Sequence, residues 1–153
     1  MENKTLEHTL RGSPLWLSNF VLVYQKLSKE SLKLLDTIYH ENVTFTDPLH
    51  TVEGFDDLYQ YFQNLYQNLT SCKFVIDEVI WQDSQASLFW TMTYQHPKLN
   101  KGKVVTVIGT SHIKGEGGKV IYHRDFLDLG AMLYEQIPLL GQLTKWIKTK
   151  AAN

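Results

Sequence analysis

After Cys72 the chain changes its period. Residues 73–83, 85–96, 103–114 and 119–128 alternate apolar with polar side chains, and each stretch is long enough to be a strand. Four such segments in direct succession restrict the chain to an antiparallel meander. Gly115-Glu116-Gly117-Gly118, between the last two, reads as a hairpin because glycine supplies the positive φ that tight turns need. Asp83-Ser84 and Lys98–Gly102 supply the other turns.

The half before Cys72 has helical spacing. Pro14 suits a first helical turn, and Trp16, Phe20, Val23 and Leu27 then recur on one face. Ser28 is placed to cap a second helix with Leu32, Leu35 and Ile38 as its apolar stripe. A short strand, Val43-Thr44-Phe45-Thr46-Asp47, is stopped by Pro48. Gly54 leads into a helix striped by Phe55, Leu58, Phe62, Leu65 and Leu69. The tail reads as a helix broken near Pro138 and Gly141, with Met132, Leu133, Ile137, Leu140, Leu143 and Ile147 as its stripe. The expected division is a flexible N-terminus over 1–13, a body over 14–130 and a helical extension over 131–153 packed on that body. This order makes an α+β domain, a curved antiparallel sheet with helices across its concave side. Such a sheet forms a cone with an open mouth.

Length and charge narrow the function. A chain of 153 residues accommodates one such domain. Its net charge is −1 and its only arginines are Arg11 and Arg124, which leaves no basic face for nucleic acid. The lone cysteine, Cys72, excludes an internal disulfide and a thiolate-rich metal site. No apolar run approaches membrane-spanning length, and the first residues lack a signal-peptide core; a cytoplasmic location is expected. Four Trp, eight Tyr and seven Phe serve either as core or as the wall of a concave ligand site.

Alternation sorts the candidate chemistry. On the last strand Ile121, His123, Asp125 and Leu127 share one face, and Tyr122, Arg124 and Phe126 the other. A carboxylate among aromatic rings loses hydration and becomes a better general base. The bland alternative is that His123 and Asp125 bond each other and a neighbouring strand. Asp47 continues the face of Val43 and Phe45, as a pocket residue or as a turn-former ahead of Pro48. Trp90, Met92, Tyr94 and His96 share a face that is either core or cavity wall. His40, His50, His112, His123, Asp47 and Asp125 show no tight zinc spacing, so no metal is assigned; His112 would be the third ligand beside His123 and Asp125.

Two motifs in this order resemble those of the nuclear transport factor 2-like superfold, and within it the SnoaL-like group. They are Phe45-Thr46-Asp47-Pro48 followed by Gly54, and the last-strand run Gly118 to Asp128 containing His123, Asp125 and Asp128. The likeness covers roughly residues 15 to 130. It implies that the His123–Asp125 face lines the cavity, with Asp125 matching the acid/base aspartate of polyketide cyclases. By likeness to ketosteroid isomerases, Asp47 stands where their proton-shuttling base does and Tyr24 near their oxyanion-donating tyrosine, while Thr110 stands roughly where their second donor, an aspartate, would be. Trp90, Tyr94 and His112 complete the expected pocket. Limonene-epoxide hydrolases use a similar last-strand aspartate, but residues 85–96 contain no charged side chain and 103–113 no acid or arginine to complete their triad. The resemblance therefore implies a homodimer binding a small apolar or carbonyl-bearing molecule without a cofactor. Such a protein is either an isomerase or cyclase working by proton transfer at carbon, or a binder without turnover. Leu129 to Ile147, with Lys145, Lys148 and Lys150, is expected as a lid or dimer contact rather than a membrane-surface helix.

Overall fold

The computed structural model describes residue 8 and residues 10–152. Residues 1–7 and 9, part of the expected flexible N-terminus, lie outside the described residues. Helix α1 (Leu15–Gln25) is followed by a 3₁₀ segment (Lys29–Thr37), strands β1 (Tyr39–Thr46) and β2 (Thr51–Glu53), and helix α2 (Phe55–Gln67). The meander then runs through β3 (Ser71–Gln82), β4 (Gln85–Gln95), β5 (Val105–Glu116) and β6 (Lys119–Leu127). A single helical turn, α3 (Leu129–Met132), a 3₁₀ turn (Tyr134–Gln136) and helix α4 (Leu140–Ala151) end the chain.

Two elements depart from the expectation for physical reasons. The second helix is 3₁₀, because its stripe, Leu32, Leu35 and Ile38, recurs every three residues and so stays on one face at three residues per turn. Strand β1 starts four residues earlier than its local pattern suggests, since Tyr39 pairs with Val120 of β6. That pairing is parallel, whereas all other neighbours in the sheet order β2-β1-β6-β5-β4-β3 are antiparallel.

The six-stranded sheet is curved and does not close. Register shifts between Ile76 and Glu78 on β3, and between Lys114 and Gly115 on β5, are the bulges that bend it. Helices α1 and α2 fill the concave side. Leu17, Phe20 and Val21 of α1 and Leu58 of α2 bury there against Val43, Leu88, Ile113 and Val120 of the sheet. Gly109 is placed by packing: a Cβ there would stand 2.3 Å from the Trp90 ring, so only glycine lets that indole lie flat on β5.

Candidate functional site

A cavity of about 530 Å³ opens between α2, the concave face and the α3 turn. Tyr24, Phe45, Phe74 and Trp90 belong to its walls, and Leu127, Met132 and Leu133 border it from the C-terminal side. The hydroxyl of Tyr94 donates to the carbonyl of Met132, which fastens the α3 turn over the sheet.

A chain of hydrogen bonds runs from behind this cavity into it. His123, on β6, is fully buried and places Nε2 2.7 Å from Asp125 Oδ1. The carboxylate is the acceptor, so Nε2 carries the proton, and in the neutral ring Nδ1 is left as an acceptor. Tyr39 of β1 fills that need at 2.6 Å, and the Tyr24 hydroxyl lies 2.6 Å from that of Tyr39. Burial holds both phenols well above the ordinary tyrosine range, so they remain neutral donors. From the other side Ser111 of β5 donates to Asp125 Oδ1 at 2.5 Å while accepting from the Trp90 indole N–H at 2.8 Å. Every partner meets Oδ1. Oδ2 takes no bond from the described residues, and Asp125 is among the cavity-lining residues.

Asp47 lies just past β1, in the turn to β2. Its Oδ1 accepts from the backbone N–H groups of Leu49 at 2.7 Å and His50 at 2.8 Å, so it shapes the turn. Its Oδ2 accepts from the Tyr61 hydroxyl inside the cavity, and both readings of this residue hold at once. Burial and that carboxylate raise the Tyr61 phenol. Tyr66, 5% exposed, also lines the cavity, and its buried hydroxyl lies beside the thiol of Cys72. Burial pushes the thiol of Cys72 up to about 11.

Of the expected site residues, the structure brings Asp125, His123, Tyr24 and Trp90 into one network and places Asp47 and Tyr94 on the same cavity. Thr110 and His112 do not join them. The buried face of β5 consists of Val105, Val107, Gly109, Ser111 and Ile113, so both residues point to the convex side, where His112 meets Gln85 and the Tyr122 ring. That placement also removes His112 as a third ligand beside His123 and Asp125; no group of three or more potential metal ligands forms among the described residues. Sequence reasoning missed Tyr39, Ser111 and Tyr61. The alternation of β5 carried the signal for Ser111; Tyr39 depends on a pairing between distant strands and left no local signal.

A protein-family model for the SnoaL-like domain matches residues 22–123. The chain belongs to the SnoaL-like domain family. Among solved structures, this SnoaL-like chain is similar to a putative SnoaL-like polyketide cyclase from Jannaschia, with a TM-score of 0.72 and 15% identity over 83% of this chain and 96% of that one. A nuclear transport factor 2-like protein of unknown function from Burkholderia pseudomallei gives a TM-score of 0.71 and 15% identity, covering 80% and 97%. A protein of ketosteroid isomerase-like fold from Catenulispora acidiphila, in complex with trimethylamine, gives 0.68 and 11%, covering 82% and 95%. These likenesses establish the SnoaL-like fold. No curated protein matches in sequence.

Proposed function

We propose that the cavity binds a small, largely apolar, carbonyl-bearing molecule and that Asp125 removes a proton from carbon beside the carbonyl, giving isomerisation or an aldol-type cyclisation. The observation that carries this reading is the asymmetry of Asp125: Oδ1 is held by His123 and Ser111, while Oδ2 is left without a partner. A base held by one oxygen presents the other at a defined place, which is what proton abstraction requires. Tyr24 and Trp90 bound the same space, and a SnoaL-like fold neighbour holds a small molecule, trimethylamine. Epoxide opening is disfavoured, since no arginine joins Asp125 and Asp47 among the described residues that line the cavity. A homodimer is inferred through the convex face, where Phe89, Ile108 and Phe126 stand exposed; sedimentation equilibrium tests it.

The test is deuterium incorporation at the α-carbon of a panel of cyclic ketones, followed by proton NMR. Wild-type protein is expected to accelerate exchange, and Asp125→Asn to lose the acceleration while still binding the same ketone. Equal acceleration by both proteins would overturn the role of Asp125. The second reading, a binder without turnover, is favoured by the way Ser111 and His123 saturate Oδ1, as a purely structural carboxylate would be. It predicts ketone binding without exchange in either protein.

A further inference from the structure

The charge of the cavity reaches beyond what proton abstraction needs. Two carboxylates, Asp47 and Asp125, line it, and among the described residues no lysine or arginine does. Asp47 forms no ion pair among the described residues, and the only one to Asp125 is with the buried His123. The strand register that pairs Thr46 with Arg124 sets the two acids side by side, and the walls around them are rings, including Phe45, Tyr61, Phe74 and Trp90.

Each class of ligand fares differently here. An anion would leave its hydration behind and meet two like charges with no cation to receive it. A neutral molecule would gain from burial but use neither carboxylate. A protonated or quaternary amine keeps its charge compensated, because ring faces attract cations and the carboxylates oppose it. We propose that this cavity selects hydrophobic organic cations, that is, molecules carrying a protonated or quaternary amine, over neutral and anionic molecules of the same shape. The cation lies at the end bordered by exposed Pro48, Leu49 and His50. There Asp47 is held by Leu49, His50 and Tyr61, with the Phe45 and His50 rings 5.9 and 5.1 Å from that of Tyr61. The apolar remainder runs along the rings of Phe74 and Trp90. The inference rests on the preceding reading only in placing the ligand inside the cavity.

Equilibrium dialysis of the full chain at pH 8 against three probes tests it: benzyltrimethylammonium, its neutral carbon isostere neopentylbenzene, and 3-phenylpropanoate. The ammonium is expected to bind about tenfold or more tightly than the neutral isostere, with the carboxylate not detectably bound. Asp47→Asn retains an amide oxygen for the Leu49 and His50 N–H groups but removes the charge, and should cut the preference at least about threefold. Equal or tighter binding of the neutral or anionic probe overturns the proposal, as does binding of none of the three. An undiminished preference in a folded Asp47→Asn protein overturns the placement at Asp47. Loss of charge selection with ketone exchange intact leaves the role of Asp125 standing, so the two readings fail separately.

Discussion

Replacing Tyr39 by Phe removes one oxygen and strands two buried groups. The Tyr24 hydroxyl loses a partner 2.6 Å away, and His123 Nδ1 loses the donor 2.6 Å from it. His123 has no relief by switching tautomer, because its Nε2 proton is committed to Asp125. With Tyr24 6% exposed and His123 0% exposed, neither residue is turned to bulk water. An unsatisfied buried donor or acceptor costs about 1–3 kcal/mol, so Tyr39→Phe, which strands two, is expected to cost about 2–6 kcal/mol. Tyr24→Phe removes only a donor to the Tyr39 oxygen, which still donates to His123, and should cost about 1 kcal/mol. In the double variant Tyr24 has no hydroxyl left to strand. Its stability should equal or exceed that of Tyr39→Phe alone, a coupling of about 1–2 kcal/mol between the two sites. Urea unfolding of the four proteins, followed by circular dichroism, measures the cycle. A double variant less stable than Tyr39→Phe by the full cost of Tyr24→Phe would refute the chain of bonds. So would a Tyr39→Phe cost below about 0.5 kcal/mol, the scale of an ordinary surface change.

Gly109→Ala sets a Cβ 2.3 Å from the Trp90 ring and should displace the indole from Ser111, costing about 1–3 kcal/mol in urea unfolding. Unchanged stability would mean that the sheet yields there freely. Burial raises the phenols of Tyr24, Tyr39 and Tyr66, so above pH 10 the unfolded chain gives up protons that the native state keeps. Stability should be complete below about pH 10 and fall above it by up to about 1.4 kcal/mol per pH unit for each tyrosine, whereas a flat urea midpoint from pH 8 to 11.5 would contradict that burial. Lys148 bonds Asp128 at 2.7 Å and Glu135 at 2.6 Å, tying α4 to the turns before it. Lys148→Ala should speed amide hydrogen exchange in residues 140–151 and leave exchange in β4 and β5 unchanged; equal protection in both proteins would show that other contacts hold the helix.

Much of this arrangement was legible because the sheet repeats every two residues. The alternation that marks β6 as a strand also puts His123 and Asp125 on one face, and the structure keeps them there. Thr110 lies outside the cavity for the same reason that Asp125 lies inside it. Placing it by analogy with a penultimate-strand donor overrode its own strand, in which Val105 and Val107 set a parity that puts Ser111 inside and Thr110 outside. Tyr39 was illegible in a stronger sense. Its role depends on β1 lying beside β6, and local periodicity carries no information about which distant strand becomes a neighbour. Asp47 shows the limit of choosing between readings, since one oxygen makes the turn and the other faces Tyr61. The tail was read correctly as broken, but not in where its apolar side points. Met132 and Leu133 border the cavity, while on α4 Gly141 alone is buried and Leu143, Trp146 and Ile147 face outward.

The parallel seam between β1 and β6 also sets when the site can exist. Tyr39 and His123 are separated by 84 residues, so their bond closes a loop comprising more than half the chain. The β3–β4 and β4–β5 hairpins can zip from their turns at small entropic cost, whereas this seam must await the collision of distant segments. A nascent chain on the ribosome can assemble most of its meander before β6 emerges, yet it holds no oriented Asp125 until that last strand docks. Binding capacity should therefore arise in the final step of folding and vanish in the first step of unfolding.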